Sequence, residues 1–70
     1  MQTTRYVVFK NNNYFVMDDD LENALWAPLN YATLYENISD ASIVAKHFKA
    51  KVIQVNVDIE IDGEILSYEP

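Results

Sequence analysis

The chain has 70 residues, half of them hydrophobic, with one Gly, two Pro and no Cys. That is a packing composition for a single domain, in which a length this short buries about 60% of the surface its unfolded form exposes. Without Cys, disulfide and thiolate-metal staples are excluded, so self-association is the remaining device for a thin core. Eleven acids against five bases give a formal charge of −6, which disfavours a role as a general nucleic-acid or anionic-membrane binder, since both need a basic footprint. No apolar run approaches 18 residues and Met1 to Lys10 lacks a basic-then-apolar leader, so the expected setting is the cytoplasm, soluble and reducing.

In chain order, Arg5 to Lys10 and Tyr14 to Met17 are β-branched and aromatic runs separated by Asn11, Asn12 and Asn13, which tolerate left-handed backbone. This predicts a hairpin with a three-residue loop. Val7 and Phe9 share one face of the first strand and Tyr6 and Val8 the other; neither face is polar, so the strand is expected to be central and covered on both sides. Asp18, Asp19 and Asp20 end the second strand, since adjacent carboxylates repel one another and Asp disfavours strands. Asp20 is then expected to cap a helical turn over Leu21 to Trp26 that stops at Pro28, and Ala32 to Glu36 to form a brief strand.

Ser39 reads as a helix N-cap, with Asp40 in the first turn and Ile38 and Ile43 at staple positions. Up to about Lys49, Ala41, Val44, Ala45 and Phe48 make an apolar stripe, while Asp40, Ser42, Lys46, His47 and Lys49 line the wet side. Lys46, Lys49 and Lys51 gather at the helix end, where cations complement the dipole. From Val52 to Ile61, Ile53, Val55, Val57, Ile59 and Ile61 alternate with Gln54, Asn56, Asp58 and Glu60, a period of two with one apolar and one polar face. Asp62 and Gly63 signal a two-residue hairpin, with Glu64 to Tyr68 as the returning strand. The fold expected is α+β: an antiparallel sheet of four or five strands, in the order β-β-β-α-β-β, with one helix on one face.

The residues do not supply catalytic chemistry. Nucleophilic or acid-base catalysis needs an activated side chain, and the chain has one His and three Ser. His47 lies between Lys46 and Lys49, whose charges favour its neutral form, and no carboxylate stands at helical spacing to orient it. Ser42, five residues earlier, does not face it squarely. The acidic run Asp18, Asp19, Asp20 and Glu22 invites a calcium reading, but a calcium loop from Asp18 would need Gly and Glu where Asn23 and Leu29 stand, and from Asp20 where Leu25 and Tyr31 stand. No metal, cofactor or enzymatic role is expected. The sequon Asn37-Ile38-Ser39 reads as chance in a chain without a leader.

Two binding surfaces are candidates. One is acidic: Asp58 and Glu60 on the polar side of the long strand, continued by Asp62 and Glu64, with Asp18, Asp19 and Asp20 as a second cluster. Alternate strand residues stand about 6.6 Å apart, close to the phosphate spacing of a nucleic-acid strand, so such a row can imitate DNA to a basic protein groove. The other is aromatic: Trp26, Tyr31 and Tyr35 belong to a set of rings larger than so small a domain can fully bury, Trp26 and Tyr31 lie with Pro28 in the least regular segment, and Trp and Tyr anchor interfaces because they bring large apolar area at low entropic cost. Both point to a host protein with a basic surface, or to a second copy of the chain, and not to nucleic acid or membrane.

The hairpin RYVVFKNNNYFVM, the following Trp, the segment LNYATLYENISDASIVAKHF and the strand KVIQVNVDI together make a pattern over roughly residues 5 to 57. It is similar to small proteins encoded by bacteriophages and prophages of low-GC Gram-positive bacteria. The resemblance carries over no site residues. It implies a context: short accessory phage proteins of this kind often inhibit host enzymes or defence systems by stoichiometric binding, anti-CRISPR proteins among them.

Overall fold

Asn11 and Asn12 both adopt positive φ, 52° and 66°, the backbone signature of a type I′ turn, whose twist matches that of the strands it joins. The computed structural model, which describes residues 2–17, 25–59 and 65–69, therefore closes its first hairpin with two loop residues. Lys10 pairs with Asn13 across it, so the third Asn belongs to the strand and not, as its composition suggests, to the loop.

The hairpin joins β1, Gln2–Lys10, to β2, Asn13–Val16. β3, Leu25–Ala27, adds to β2. The helix α1, Ile38–Phe48, precedes β4, Lys51–Ile59, and β5, Ile65–Glu69. One five-stranded antiparallel sheet results, ordered β3-β2-β1-β4-β5, with β1 in the middle as its two apolar faces require. The fold is α+β.

Residues directly opposite each other in an antiparallel pair share a face. The register Val8↔Val52 and Tyr6↔Gln54 with Phe15↔Trp26 puts Tyr6, Val8, Phe15, Trp26 and Val52 on one side. There Ala41, Val44, Ala45 and Phe48 of α1 pack against them. The small residues Ala41 and Ala45 lie against the sheet and are buried, which lets the helix approach closely. On the opposite side Val7, Tyr14, Ile53, Val55 and Val57 pack against Leu29, Ala32 and Leu34. The alternating apolar face of β4 is thus covered by an irregular segment, while the helix sits over the end of the other face.

That segment has its own geometry. After Pro28, residues Leu29–Tyr31 make a single 3-10 turn. The chain then passes between β1 and β2, which are in register only at Phe9↔Tyr14 and Lys10↔Asn13. Thr33 N donates to Phe15 O at 3.1 Å, Met17 N donates to Thr33 Oγ1 at 2.7 Å, and Tyr35 exchanges two 2.9 Å backbone bonds with Tyr6. Tyr6 N and O, Phe15 O and Met17 N thereby find their partners in the crossing chain. The brief strand expected over Ala32 to Glu36 is accordingly one bridge at Tyr35. The helical turn expected over Leu21 to Trp26 fails at its described end, where Leu25 and Trp26 are strand, because pairing with β2 outweighs a local cap signal.

Helix α1 begins two residues earlier than its Ser39 signal, with Asn37 at the N-cap in extended geometry and without a side-chain cap bond. Ile38 and Ile43 form no buried staple; they are 56% and 70% exposed. At the other end Lys49 takes the left-handed conformation, φ 55° and ψ 43°, and Ala50 N donates to Ala45 O at 2.7 Å. This is the arrangement that usually employs Gly. Lys10 Nζ donates to Phe48 O at 2.9 Å and satisfies a carbonyl the helix cannot.

Candidate functional site

Helix α1 stops over Tyr6 and Val52, and the sheet continues past it. On the helix side the continuation is polar: Gln54 opposite Tyr6, Asn56 opposite Thr4, and Asp58 opposite Gln2. Gln2, Thr4 and Gln54 are exposed, Asn56 and Asp58 half-buried, and Thr4 Oγ1 donates to Asn56 Oδ1 at 3.4 Å. On β1 and β4 the sheet therefore presents hydroxyl, amide and carboxylate groups where apolar side chains would be under a longer helix. The period-two pattern in β4 anticipates this strip, and Asp58 stands at its end. Asp58 pairs in register with Ser67 of β5, next to an irregularity between Asp58 and Ile59. Glu60, Asp62, Glu64, Asp18, Asp19 and Asp20 lie outside the described residues.

The three aromatic candidates do not form one surface. Trp26 is half-buried in a triad with Phe15 and Phe48, with centroid separations of 5.7 Å to Phe15 and 5.6 Å to Phe48, both edge-on. Phe15 and Phe48 are 5.4 Å apart. Trp26 is thus core with one margin outward. Tyr35 belongs to the same apolar cluster. Its hydroxyl is buried and has no hydrogen-bond partner among the described residues, and its pKa is raised, chiefly by burial and secondarily by the negative charge of Asp40. It serves packing. Tyr31, at the end of the 3-10 turn, is 66% exposed and is the most exposed of the three.

The opposite end of β4 is basic. Lys51 pairs through the register with Phe9, which carries the hairpin end Lys10 and Asn11 to the helix end Lys49. These residues line a shallow groove of about 320 Å³ together with Ala50. A neighbouring groove of about 300 Å³ shares Lys10 and Asn11 and adds Asn13, Trp26 and Phe48. Lys46, Lys49 and Lys51 are visible as a group in the sequence. Lys10 is 36 residues from Lys46 and joins them only through the β1–β4 pairing, so its membership was missed; the signal was the match of two long strands whose registers place Phe9 beside Lys51.

Elsewhere the polar groups are structural. Arg5 Nη1 donates to Thr3 Oγ1 at 2.8 Å and to Thr4 O at 2.9 Å, and Nη2 lies 3.8 Å from Glu36 Oε1. Ser42 Oγ donates to Ile38 O at 2.7 Å, a back-bond within the helix. His47 is exposed, its ring edge-on to Phe48 at 4.7 Å. Among the described residues no three His, Cys, Asp or Glu side chains converge as a metal would require, and no helix is long and apolar enough to cross a membrane. No protein-family model matches the chain, and no curated protein or solved structure is significantly similar to it.

Proposed function

We propose that the protein is a non-enzymatic phage-type accessory protein that binds a basic surface of a host protein stoichiometrically and inhibits it, in the manner of an anti-CRISPR or other anti-defence inhibitor. The observation that carries this reading is the polar strip of β1 and β4 ending in Asp58, in which Gln2, Thr4 and Gln54 are exposed. Among the described residues α1 does not reach this stretch of the sheet, and three further acidic residues, Glu60, Asp62 and Glu64, follow Asp58 in the sequence. Carboxylates and amides on a flat sheet complement the lysines and arginines of a nucleic-acid-handling groove. Such a protein works in the host cytoplasm and needs no cofactor. The test is expression of the chain in a Gram-positive host whose defence restricts a phage. Plaque numbers are expected to rise, and Gln54→Lys/Asp58→Lys, shown to melt like the wild type, to lose the effect. Unchanged restriction across a panel of defence systems, or full activity of the double variant, overturns the reading.

A second reading is a structural or regulatory module that pairs with itself, favoured by β3 and β5 standing at the two edges of the sheet, each paired on one side only among the described residues. Light scattering distinguishes it. A dimer at micromolar concentration supports it, and a monomer throughout the high micromolar range removes it.

A further inference from the structure

All four lysines of the chain lie at one end of the molecule. Lys10 closes the hairpin, Lys46 and Lys49 end the helix, and Lys51 begins β4. Among the described residues none of the four is held by a carboxylate. Lys51 and Asp58 are separated by seven steps along one strand, roughly 23 Å at about 3.3 Å per residue, beyond the screening length of about 8 Å at physiological salt. The basic end therefore acts as a surface of its own despite the chain's net negative charge.

Three features define what it takes. The lysine groove adjoins the groove in which the margins of Trp26 and Phe48 are reached, and Lys10 and Asn11 line both. A ligand spanning the two meets cations in one and apolar rings beside amides in the other. Both grooves are shallow, which suits an extended chain better than an enclosed small molecule. Finally, Lys49 holds left-handed backbone at a position where Gly would carry no steric cost. A strained backbone with an exposed charge at a groove is the pattern expected when the side chain is kept for contact and not for the fold.

We infer that the basic end is a second binding surface, which receives an acidic segment of another protein, with an apolar side chain of that segment seated against Trp26 and Phe48 and its carboxylates on Lys49 and Lys51. A nucleic-acid strand fits less well. Four lysines neutralise a short stretch of charge, and the acids of the rest of the chain repel a long polyanion. This surface is distinct from the strip ending at Asp58 and does not depend on the inhibitory role proposed for it.

Trp26 is the chain's one tryptophan and reports the site directly. The full chain is titrated, following Trp26 fluorescence, with a synthetic ten-residue peptide of Asp and Glu around one Leu. Two comparison probes are the same peptide with Ser in place of its acids and an oligothymidylate of ten nucleotides. A saturable spectral shift with the acidic peptide is expected, weakened by added salt. Lys51→Gln is expected to weaken it about threefold, the order of one exposed ion pair. Lys49→Gly is expected to weaken it similarly while raising the melting temperature, which separates contact from folding. Lys10 is left intact because it also holds Phe48 O. Absence of a saturable shift, or undiminished binding by both variants, overturns the proposal. Binding of the oligothymidylate in preference to the peptide, or salt-sensitive self-association of the chain lost in Lys49→Gly, overturns the assignment of the occupant.

Discussion

Removing Phe15 is the sharpest probe of the helix-side core. Its side chain is 1% exposed and touches both other rings of the triad, at centroid distances of 5.4 Å and 5.7 Å. Truncating a buried Phe to Ala costs about 3–5 kcal/mol. A 70-residue domain has a total stability of roughly 3.5–10 kcal/mol at about 0.05–0.15 kcal/mol per residue. Phe15→Ala thus removes between a third and all of it. Phe48→Ala is the internal control. Phe48 is half-buried, so about half of a transfer free energy of about 1.5–3 kcal/mol is lost together with its ring contacts to Phe15 and Trp26, about 0.5–1.5 kcal/mol each, about 2–4.5 kcal/mol in total. At about 4–8 °C per kcal/mol, Phe48→Ala lowers Tm by roughly 8–36 °C. Urea unfolding followed by Trp26 fluorescence and far-ultraviolet circular dichroism gives both values. Phe48→Ala proving costlier than Phe15→Ala, or either variant lying within about 0.5 kcal/mol of the wild type, would refute the packing described, since that is the range of a surface substitution.

Other expectations come from backbone and polar groups. Lys49→Gly is expected to stabilise the fold by about 0.5–1 kcal/mol, because relief of about 1–2 kcal/mol of left-handed strain exceeds the added flexibility of the unfolded chain, about 0.5–1 kcal/mol; chemical denaturation checks it. In the hairpin turn, Asn12→Gly creates Asn-Gly and is expected to stabilise, whereas Asn12→Val places a β-branched residue at φ 66° and is expected to cost about 1–3 kcal/mol in the same assay. Tyr35→Phe removes a buried hydroxyl that has no partner among the described residues and is expected to raise stability by about 1 kcal/mol. Because burial and Asp40 raise the Tyr35 pKa above its usual 10.0, the unfolded chain releases that proton first. The associated stability is present below pH 10 and lost as pH rises from there through the folded-state pKa. Thermal melts between pH 9 and 11 should show a shallower alkaline loss in Tyr35→Phe than in the wild type.

Elements with a strong period of their own were legible in the sequence. The wet and apolar faces of α1 fall where Ala41, Val44, Ala45 and Phe48 put them, and β4 alternates as its residues do. The central place of β1 follows from its two apolar faces. Between Leu25 and Asn37 local signals mislead. Leu25, Trp26 and Ala27 form a strand because β2 supplies partners and Phe15 a ring contact for Trp26, neither of which is encoded nearby. Residues 32–35 read as a strand because they are extended, yet their hydrogen bonds go to two different strands as they cross the sheet. The alternation in β4 fixed which side chains are buried and left open what buries them, the helix or the crossing segment. For the candidate sites, Asp58 was placed by periodicity, whereas Tyr35 was drawn into the core by its bridge to Tyr6, and Lys10 joined the basic end by strand register.

In the proposed function the chain occupies a host protein one to one through the strip ending at Asp58. Affinity capture from lysate of a Gram-positive phage host, with the retained protein identified by mass spectrometry and then purified for sedimentation-velocity analysis, measures this directly. The account predicts a discrete complex of defined stoichiometry with a basic-surfaced protein, lost on Gln54→Lys/Asp58→Lys substitution and weakened by salt. Retention of nothing at moderate salt, or a complex indifferent to that substitution, would contradict it.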